Sequence, residues 1–231
     1  QAPIPGLRAQ SQEDGVTRVK KIVATLFVGA LMLAGTALAK SFEQGVQYVL
    51  IQPQPPVGTG EEVEVVEFFW YGCPHCSDFE PTVTKWASDL PANVKFSQIP
   101  AMFGRSADLH AQVYYALQGM GELERLHQKL FDTINSSDRK LRSRDEVDAF
   151  LQENGVDMDK FSDSMNSFAV AAKVNRARAL MRRYGVRSVP TLVVDGRYRS
   201  GTGFTSYQDM TEVADYVVDK VLVQRKDLAA P

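Results

Sequence analysis

An apolar segment that runs into a glycine and then into two closely spaced cysteines constrains this chain more than any other feature. The segment Val63–Tyr71 is followed by Gly72 and then by Cys73–Cys76, which reads Cys-Pro-His-Cys. This order predicts a buried strand, a glycine turn and a helix that begins at the first cysteine. A cysteine at the start of a helix tends to become a low-pKa, reactive thiolate. The chain is therefore expected to carry a reactive thiol at a strand–helix junction.

The first cysteine of the pair is predicted to be the nucleophile. The thiolate, and not the thiol, attacks disulfides and leaves from them, and a helix N-terminus favours the negative charge of a Cys73 thiolate. Pro74 suits the first helical position, and His75 can add a positive charge or a hydrogen bond near the sulfur. Cys76, one turn further on, is expected to be the more buried, resolving thiol. A stabilised Cys73 thiolate favours the reduced protein, so the disulfide form becomes a stronger oxidant.

Other uses of the cysteine pair compete with this interpretation. A zinc site needs four ligands, but beyond the pair the chain offers only His75, His110 and His127, none of them in a second close pair. Haem attachment would need a histidine at position 77, where this chain has Ser77. A structural disulfide stays open as an alternative, although closing so short a loop restrains little chain entropy. No metal or cofactor is expected, and His110 and His127 are assigned structural roles beside apolar stripes.

Glu67 is the candidate acid of the site. It lies between apolar residues of a strand that should be covered on both faces, where a carboxylate costs free energy and its pKa should be raised. We expect Glu67 to act as a proton acceptor or as an electrostatic tuner for the cysteine pair. The alternative is a strand-end glutamate that reaches solvent.

A loop near the C-terminal end of the chain is the candidate substrate loop. Pro190 follows Val189 directly before an apolar strand, and in this element order we expect a cis-proline turn that faces the cysteines. Such a turn would present the backbone of Val189 to an extended substrate by strand addition. Met102 and Phe103 are candidates for an apolar groove beside the site, or alternatively for the core.

The order of predicted elements indicates an α/β fold with an insertion. Residues 40–105 give a strand–helix–strand pattern, residues 106–184 are helical throughout, and residues 185–231 give a hairpin and a final helix. Asp195-Gly196 is a strong two-residue hairpin signal within the last part. Because the two outer parts can complete one sheet, the helical block is predicted to be inserted into it.

The N-terminal region has the pattern of an export signal. Three basic residues (Arg18, Lys20 and Lys21) precede the apolar stretch Ile22–Gly35, and Ala37–Ala39 follows it. This predicts a signal peptide over residues 16–39 that is cleaved after Ala39, with a membrane anchor as the alternative. Residues 1–15 form an extension for which the sequence offers no physical account. Export would place the cysteines in an oxidising compartment.

The charge of the chain gives no reason to expect a polyanionic partner. The formal net charge is −2 and the isoelectric point is about 6.0, so no strong field attracts nucleic acid or anionic lipid. The basic residues of the last helix in the helical block are best explained as a solvated helix face; they are Lys173, Arg176, Arg178, Arg182 and Arg183.

Three segments resemble the DsbA family of bacterial periplasmic disulfide oxidases. Glu67–Cys76 resembles the active-site strand and helix start of that family, Gly185–Thr191 its cis-proline loop, and Asn166–Phe168 the start of its long helix. The similarity runs over Lys40–Lys220. It implies a thioredoxin-like domain that is interrupted by an all-helical domain.

The resemblance also implies roles and partners. It makes Cys73 the nucleophile, Cys76 the resolving cysteine, His75 the thiolate stabiliser, Glu67 the buried acid and Val189-Pro190 the substrate loop. It implies a monomeric oxidase that acts on unfolded, newly exported polypeptides and is reoxidised by a membrane quinone-linked partner like DsbB. An isomerase or reductase on the same fold, or a peptide-binding chaperone with a structural disulfide, are the alternatives.

One position departs from the family pattern. The best-known members place a lysine near the buried acid on the following strand, and the matching residue here is Gln98. Glu67 is therefore expected to lack its usual charge partner.

Overall fold

Five strands form a single mixed sheet. They are β1 (Tyr48–Leu50), β2 (Val63–Phe69), β3 (Val94–Pro100), β4 (Thr191–Val194) and β5 (Tyr198–Ser200). Their order across the sheet is β1–β5–β4–β2–β3, and only the β2–β3 pair is parallel. The two outer parts of the chain therefore do complete one sheet, as the sequence predicts.

Seven helices accompany the sheet in the described part of the chain. They are α1 (Pro74–Ser88), α2 (Arg105–Met120), α3 (Leu123–Ser136), α4 (Arg144–Glu153), α5 (Met158–Met165), α6 (Phe168–Arg183) and α7 (Tyr207–Ala229). Helices α2 to α6 follow one another between β3 and β4. This arrangement confirms the predicted α/β fold with a helical insertion. The division into domains at 105/106 and 184/185 stays a prediction.

This computed structural model describes residues 41–55, 58, 60, 62–136 and 138–229. The predicted N-terminal extension (1–15), the signal peptide (16–39) and its cleavage after Ala39 lie outside the described residues. The described residues from Phe42 onward belong to one compact unit. None of the helices in this described part has both the length and the apolar character needed to span a bilayer.

The central strand β2 is covered on both faces. Val65 packs in a cluster with Phe79 and other residues of α1, whereas Phe68, on the opposite face, packs in a cluster with Tyr184 at the end of α6. Because side chains of a strand alternate between faces, an almost continuous apolar run is what such a doubly covered strand requires. Glu67 is the one acidic residue of β2 that this packing buries.

The end of β2 leads into the core of the helical block. Phe69 and Tyr71 are buried in the same cluster as Phe131 of α3 and Leu117 of α2, and Cys76 belongs to that cluster as well. The strand that carries the reactive segment is thus fixed by packing against the insertion.

Candidate active site

Cys73 caps the N-terminus of α1. Its backbone is extended (φ −98°, ψ 113°), Pro74 is the first helical residue, and the amides of Cys76 and Ser77 both donate to the Cys73 carbonyl at 3.1 Å. Pro74 costs no hydrogen bond at this position, because the first amides of a helix have no intrahelical acceptor. The sequence therefore places the first sulfur where N–H groups of the helix start surround it.

The turn ahead of Cys73 needs a glycine because of the indole of Trp70. A Cβ atom added to Gly72 would overlap the Trp70 ring, which would have to move to make room for it. The ring is held in turn by His110, whose Nδ1 accepts from Trp70 Nε1 at 3.2 Å and whose Nε2 lies 2.9 Å from the carbonyl of Leu141. Burial lowers the pKa of His110, so the imidazole is neutral and serves as a fixed link between the active-site strand and the helical block.

The two sulfurs have opposite surroundings. The thiol of Cys76 donates a hydrogen bond that is the largest cause of a lowered Cys73 pKa, which falls to about 6 although burial opposes the shift. Cys76 is fully buried, and burial is the main reason why its own pKa is raised. Both cysteines are free in this structure. Near neutral pH the reduced pair is therefore one partly exposed thiolate and one buried thiol.

His75 contributes to the thiolate in two ways. Its backbone amide helps to lower the Cys73 pKa, and the positive charge of its ring is the smaller effect. The ring is exposed, and its Nδ1 lies 3.2 Å from the hydroxyl of Tyr207, the first residue of α7. Tyr207 also packs against Phe79 of α1, with ring centroids 5.6 Å apart. Sequence reasoning missed Tyr207, because no local signal connects it to a motif 132 residues earlier.

The candidate substrate loop faces the first sulfur. The Val189–Pro190 peptide bond is cis, and the Cys73 sulfur lies 3.5 Å from the Val189 carbonyl oxygen, to which it donates when it is protonated. Met102 and Val189 both pack, half-buried, against the same core cluster, whereas Phe103 is 46% exposed. The structure thus brings Val189 to Cys73 and leaves Phe103 at the surface.

Glu67 is fully buried and does not reach solvent. Burial is the main cause of a pKa raised to about 8, and the negative charge of Glu80 on α1 raises it further. Glu67 pairs in register with Gln98 of β3, and the Gln98 amide donates to Glu67 Oε2 at 2.9 Å. Gln98 is therefore a direct hydrogen-bond partner of the buried acid.

Sequence reasoning also missed part of the surroundings of Glu67. Glu80 is buried beside it, and His127, which the sequence analysis assigned a structural role, lies next to Glu80. These contacts join α1 and α3, so the spacing of residues within a single element could not predict them. Among the described residues, no group of three or more His, Cys, Asp or Glu side chains is arranged to hold a metal ion.

Comparisons with known proteins agree on one family. Residues 64–217 match the family model of the DSBA-like thioredoxin domain. The thiol:disulfide interchange protein DsbA of Pseudomonas aeruginosa is 37% identical over 204 residues, which cover 87% of this chain and 97% of that protein. The protein of the same name from Azotobacter vinelandii is 38% identical over 207 residues, covering 84% of this chain and 96% of its own length.

Solved structures show the same fold. The crystal structure of Pseudomonas aeruginosa DsbA superposes with a TM-score of 0.74 at 37% identity, covering 80% of this chain and 97% of that chain. The oxidoreductase DsbA of Xylella fastidiosa superposes with a TM-score of 0.68 at 29% identity, covering 79% of this chain and 97% of that one. The likeness extends over nearly the whole of each relative.

Proposed function

Because this chain belongs to the DsbA family of thiol:disulfide interchange proteins, we propose that it works in the oxidising direction and donates its Cys73–Cys76 disulfide to reduced, newly exported polypeptides. The observation that carries this proposal is the unequal environment of the two sulfurs. The reduced pair is stabilised by a Cys73 pKa of about 6, and whatever stabilises the reduced form makes the disulfide a stronger oxidant.

The exchange is balanced in two steps. A client thiolate attacks the Cys73 sulfur of the disulfide, which forms a mixed disulfide and releases Cys76 as a thiolate that takes up a proton. A second client thiolate then attacks the client sulfur of the mixed disulfide, and Cys73 leaves as a thiolate. The client loses two electrons and becomes a disulfide, while the Cys73–Cys76 pair gains them. Cys73 is a good leaving group in the second step because its thiolate is stabilised.

The residues around the pair have separate tasks in this proposal. Pro74 starts the helix, His75 supports the thiolate through its amide and its ring, and Glu67 serves as the buried acid of the pair. The Val189 carbonyl, held ahead of the cis Pro190, offers a backbone acceptor to an extended client next to the reacting sulfur. Met102 and Phe103 are proposed to add apolar contact for the client, for which the exposure of Phe103 is favourable.

The cycle needs an oxidant that restores the disulfide. We propose a membrane quinone-linked protein similar to DsbB as this partner, and reduced exported polypeptides as the clients. The protein is proposed to act as a monomer in the periplasm after cleavage behind Ala39. Expression with the native leader should yield periplasmic protein whose N-terminus is Lys40; protein that stays in the membrane with an intact leader would contradict this assignment.

Disulfide transfer to a reduced, unfolded client tests the oxidising direction. Oxidised protein mixed with an equimolar, reduced client that has one native disulfide should yield one client disulfide per protein. A Cys73→Ser variant should transfer none. The proposal fails if the native protein keeps its disulfide in the presence of excess client dithiol.

Two further measurements separate the alternative activities. An isomerase would reshuffle the bonds of a scrambled client faster than it oxidises a reduced one. If the protein were a chaperone, its Cys73→Ser variant would suppress client aggregation as well as the native protein does.

A further inference from the structure

Two buried carboxyl groups share one amide beside the cysteine pair. Gln98 Nε2 donates to Glu67 Oε2 at 2.9 Å and to Glu80 Oε2 at 2.8 Å, and the two acidic residues are 0% and 5% exposed. Two like charges this close in a buried site cannot both be carried without a large cost. One of the two carboxyl groups therefore holds a proton over much of the neutral pH range, and the surroundings decide which.

The distribution of hydrogen-bond donors assigns the charge to Glu80. Besides Gln98, Glu80 receives a hydrogen bond from the hydroxyl of Thr84 at 2.8 Å, and His127 Nε2 lies 3.4 Å from its Oε1. Glu67 has the Gln98 amide alone, and its Oε1 is buried without a partner among the described residues. An ionised carboxylate is stabilised by donors to both oxygens, whereas a protonated one tolerates an unpaired oxygen far better.

His127 directs its Nε2 atom at Glu80. Its Nδ1 lies 2.6 Å from the hydroxyl of Tyr71. In the neutral tautomer that accepts from the Tyr71 hydroxyl at Nδ1, the ring proton is on Nε2 and points at Glu80; in the charged ring, both nitrogens carry protons. Aromatic rings fix this orientation, with centroids 5.2 to 5.9 Å from that of His127; they belong to Phe69, Tyr71, Tyr114 and Phe131.

We propose that His127 is a positioning residue that keeps the shared negative charge on Glu80 and thereby keeps Glu67 a neutral acid beside Cys73 and Cys76. The proposal rests on the function proposed above, because it explains how the buried acid of that function is set. Gln98, on the strand that pairs with β2, has no charge with which to set the ionisation of the two acids. The proposal assigns this task to His127 of α3, in the helical block.

The electrostatics of the cluster agree with this assignment. Burial raises the pKa of Glu80, but the hydrogen bond and charge of His127 outweigh it, together with the contacts of Thr84 and Gln98, and the net shift is downward. The pKa of Glu67 is raised by burial and then by the Glu80 charge. A neutral Glu67 places no negative charge against the Cys73 thiolate, so the thiolate keeps its stabilisation.

Few other groups around the cluster titrate near neutral pH. Burial raises the pKa values of Tyr71 at the end of β2 and Tyr114 on α2, so both hydroxyls stay neutral. Burial likewise raises the pKa of Cys76 on α1. The Cys73 thiol, with its pKa of about 6, is therefore the group at the end of β2 and the start of α1 that changes charge near the two acids.

Carboxyl carbon NMR on the full-length, reduced protein tests the proposal without any client. With ¹³C-labelled glutamate, the native protein at pH 7 should show Glu67 protonated and Glu80 ionised. In His127→Phe, which keeps an aromatic ring but removes both nitrogens, Glu67 should titrate about one pH unit lower, because Glu80 no longer retains the charge. The same variant should titrate Cys73 at higher pH, as followed by thiolate absorbance.

Further variants separate positioning from a merely structural role. The His127→Gln variant restores a hydrogen-bond donor without a charge. Its Glu67 and Cys73 titrations should therefore lie between those of His127→Phe and those of the native protein. This variant also provides the test if His127→Phe does not fold. In a Glu80→Gln background, His127→Gln should change the Glu67 and Cys73 titrations no further, because the group on which it acts is gone. Gln128→Ala, on the exposed side of the same helix, is the matched control and should change neither.

Two results would overturn the proposal. One is an ionised Glu67 in the native protein at pH 7. The other is that both His127 variants fold and leave the titrations of Glu67, Glu80 and Cys73 unchanged. Failure of disulfide transfer with these titrations intact would instead count against the proposed function alone, so the two failures can be told apart.

Discussion

The side chain of His75 is only one of several groups that stabilise the Cys73 thiolate. The Cys76 thiol and the backbone amides of residues 75 and 76 contribute more than the charge of the ring. These contributions come from the geometry of the helix start, so they survive substitution at position 75. The ring itself adjusts the acidity of Cys73 and does not create it.

His75→Ala should therefore weaken the oxidant only modestly. We expect the Cys73 pKa to rise by less than about one unit, which corresponds to a reduction potential lower by at most about 30 mV. Thiolate absorbance against pH and equilibration with glutathione measure the two quantities. Tyr207→Phe, which removes only the hydroxyl beside Nδ1, should change both by less. An unaltered glutathione equilibrium in the alanine variant would contradict any role for the ring.

Glu67 should make the stability of the protein depend on pH. Its pKa is raised from an ordinary 4.5 to about 8, so its contribution to stability is complete below pH 4.5 and is lost as the pH rises to about 8. This loss amounts to about 1.4 kcal/mol per pH unit at most. The Glu67→Gln variant should lack this slope in denaturant unfolding of the reduced protein, whereas Glu64→Gln, exposed on the same strand, should retain it. Parallel slopes in native protein and Glu67→Gln would refute the assignment.

Residues could be predicted from the sequence where their chemistry is local. Cys73, Cys76 and Glu67 lie within one strand–helix junction, and their spacing carries the inference. Glu80 and His127 could not be assigned in this way, because their meaning arises only when α1 and α3 pack together. An acidic residue in a helix is ordinary until its environment is known.

At the scale of elements, periodicity identified the long helices and the paired strands but missed β1. That strand has three residues and pairs with β5 at the edge of the sheet. Three residues are too few to establish an alternating pattern, and its neighbours in sequence read as turns. The hairpin at Asp195-Gly196 was predictable because both residues adopt the positive φ (56° and 61°) that such a turn favours, but its loop has three residues and not two, since Arg197 also lies between β4 and β5.

Arg225 connects the last helix to the rest of the sheet. From α7 it donates to the Asp195 carboxylate in the β4–β5 turn and to the carbonyls of Gly60 and Glu62 ahead of β2. The Arg225 and Asp195 side chains are 9% and 11% exposed. This contact therefore joins three parts of the chain that are distant in sequence.

Arg225→Ala should lower the free energy of unfolding by roughly 3–5 kcal/mol, because it leaves the Asp195 carboxylate buried without its partner. Urea denaturation measures the change. Lys226→Ala, at the exposed neighbouring position, should stay within about 0.5 kcal/mol of the native protein. Asp195→Asn should restore part of the loss in the Arg225→Ala background, and no restoration would indicate that the carbonyl contacts dominate.

At the scale of the whole molecule, the stability of the reduced protein should exceed that of the oxidised protein by a margin that depends on pH. The pKa of Cys73 is depressed from an ordinary 9.0 to about 6, so its contribution to the reduced protein is complete above pH 9 and is lost as the pH falls through about 6. The oxidised protein has no thiolate and lacks this contribution.

Unfolding of both redox forms between pH 5 and pH 9 should show a difference that widens with rising pH. A Cys73→Ser variant cannot form the disulfide, and its stability should lack the rise with pH that the reduced native protein shows, because it has no thiolate to stabilise. A constant difference across this range would mean that the Cys73 thiolate does not set the redox balance of the protein.

The helical block is more than a cover for the active site. Besides His127, it supplies Asn135, whose side-chain amide donates to the Tyr71 carbonyl at 2.8 Å, two residues ahead of Cys73. His110 fixes Trp70 from the same block. The fold class was predictable because elements follow local pattern; the way in which the block orients the reactive segment was not, because it depends on tertiary packing.

The Trp70 ring that covers Gly72 gives the protein a built-in optical reporter. The chain has two tryptophans, and the other, Trp86, bonds through its Nε1 to Asp215 away from the strand–helix junction. Trp70 lies three residues before Cys73, and its ring lies against Gly72, the residue next to that cysteine; a disulfide and a thiolate there should quench its fluorescence to different degrees. Each turnover should therefore be visible as a change in intrinsic emission, with no dye attached.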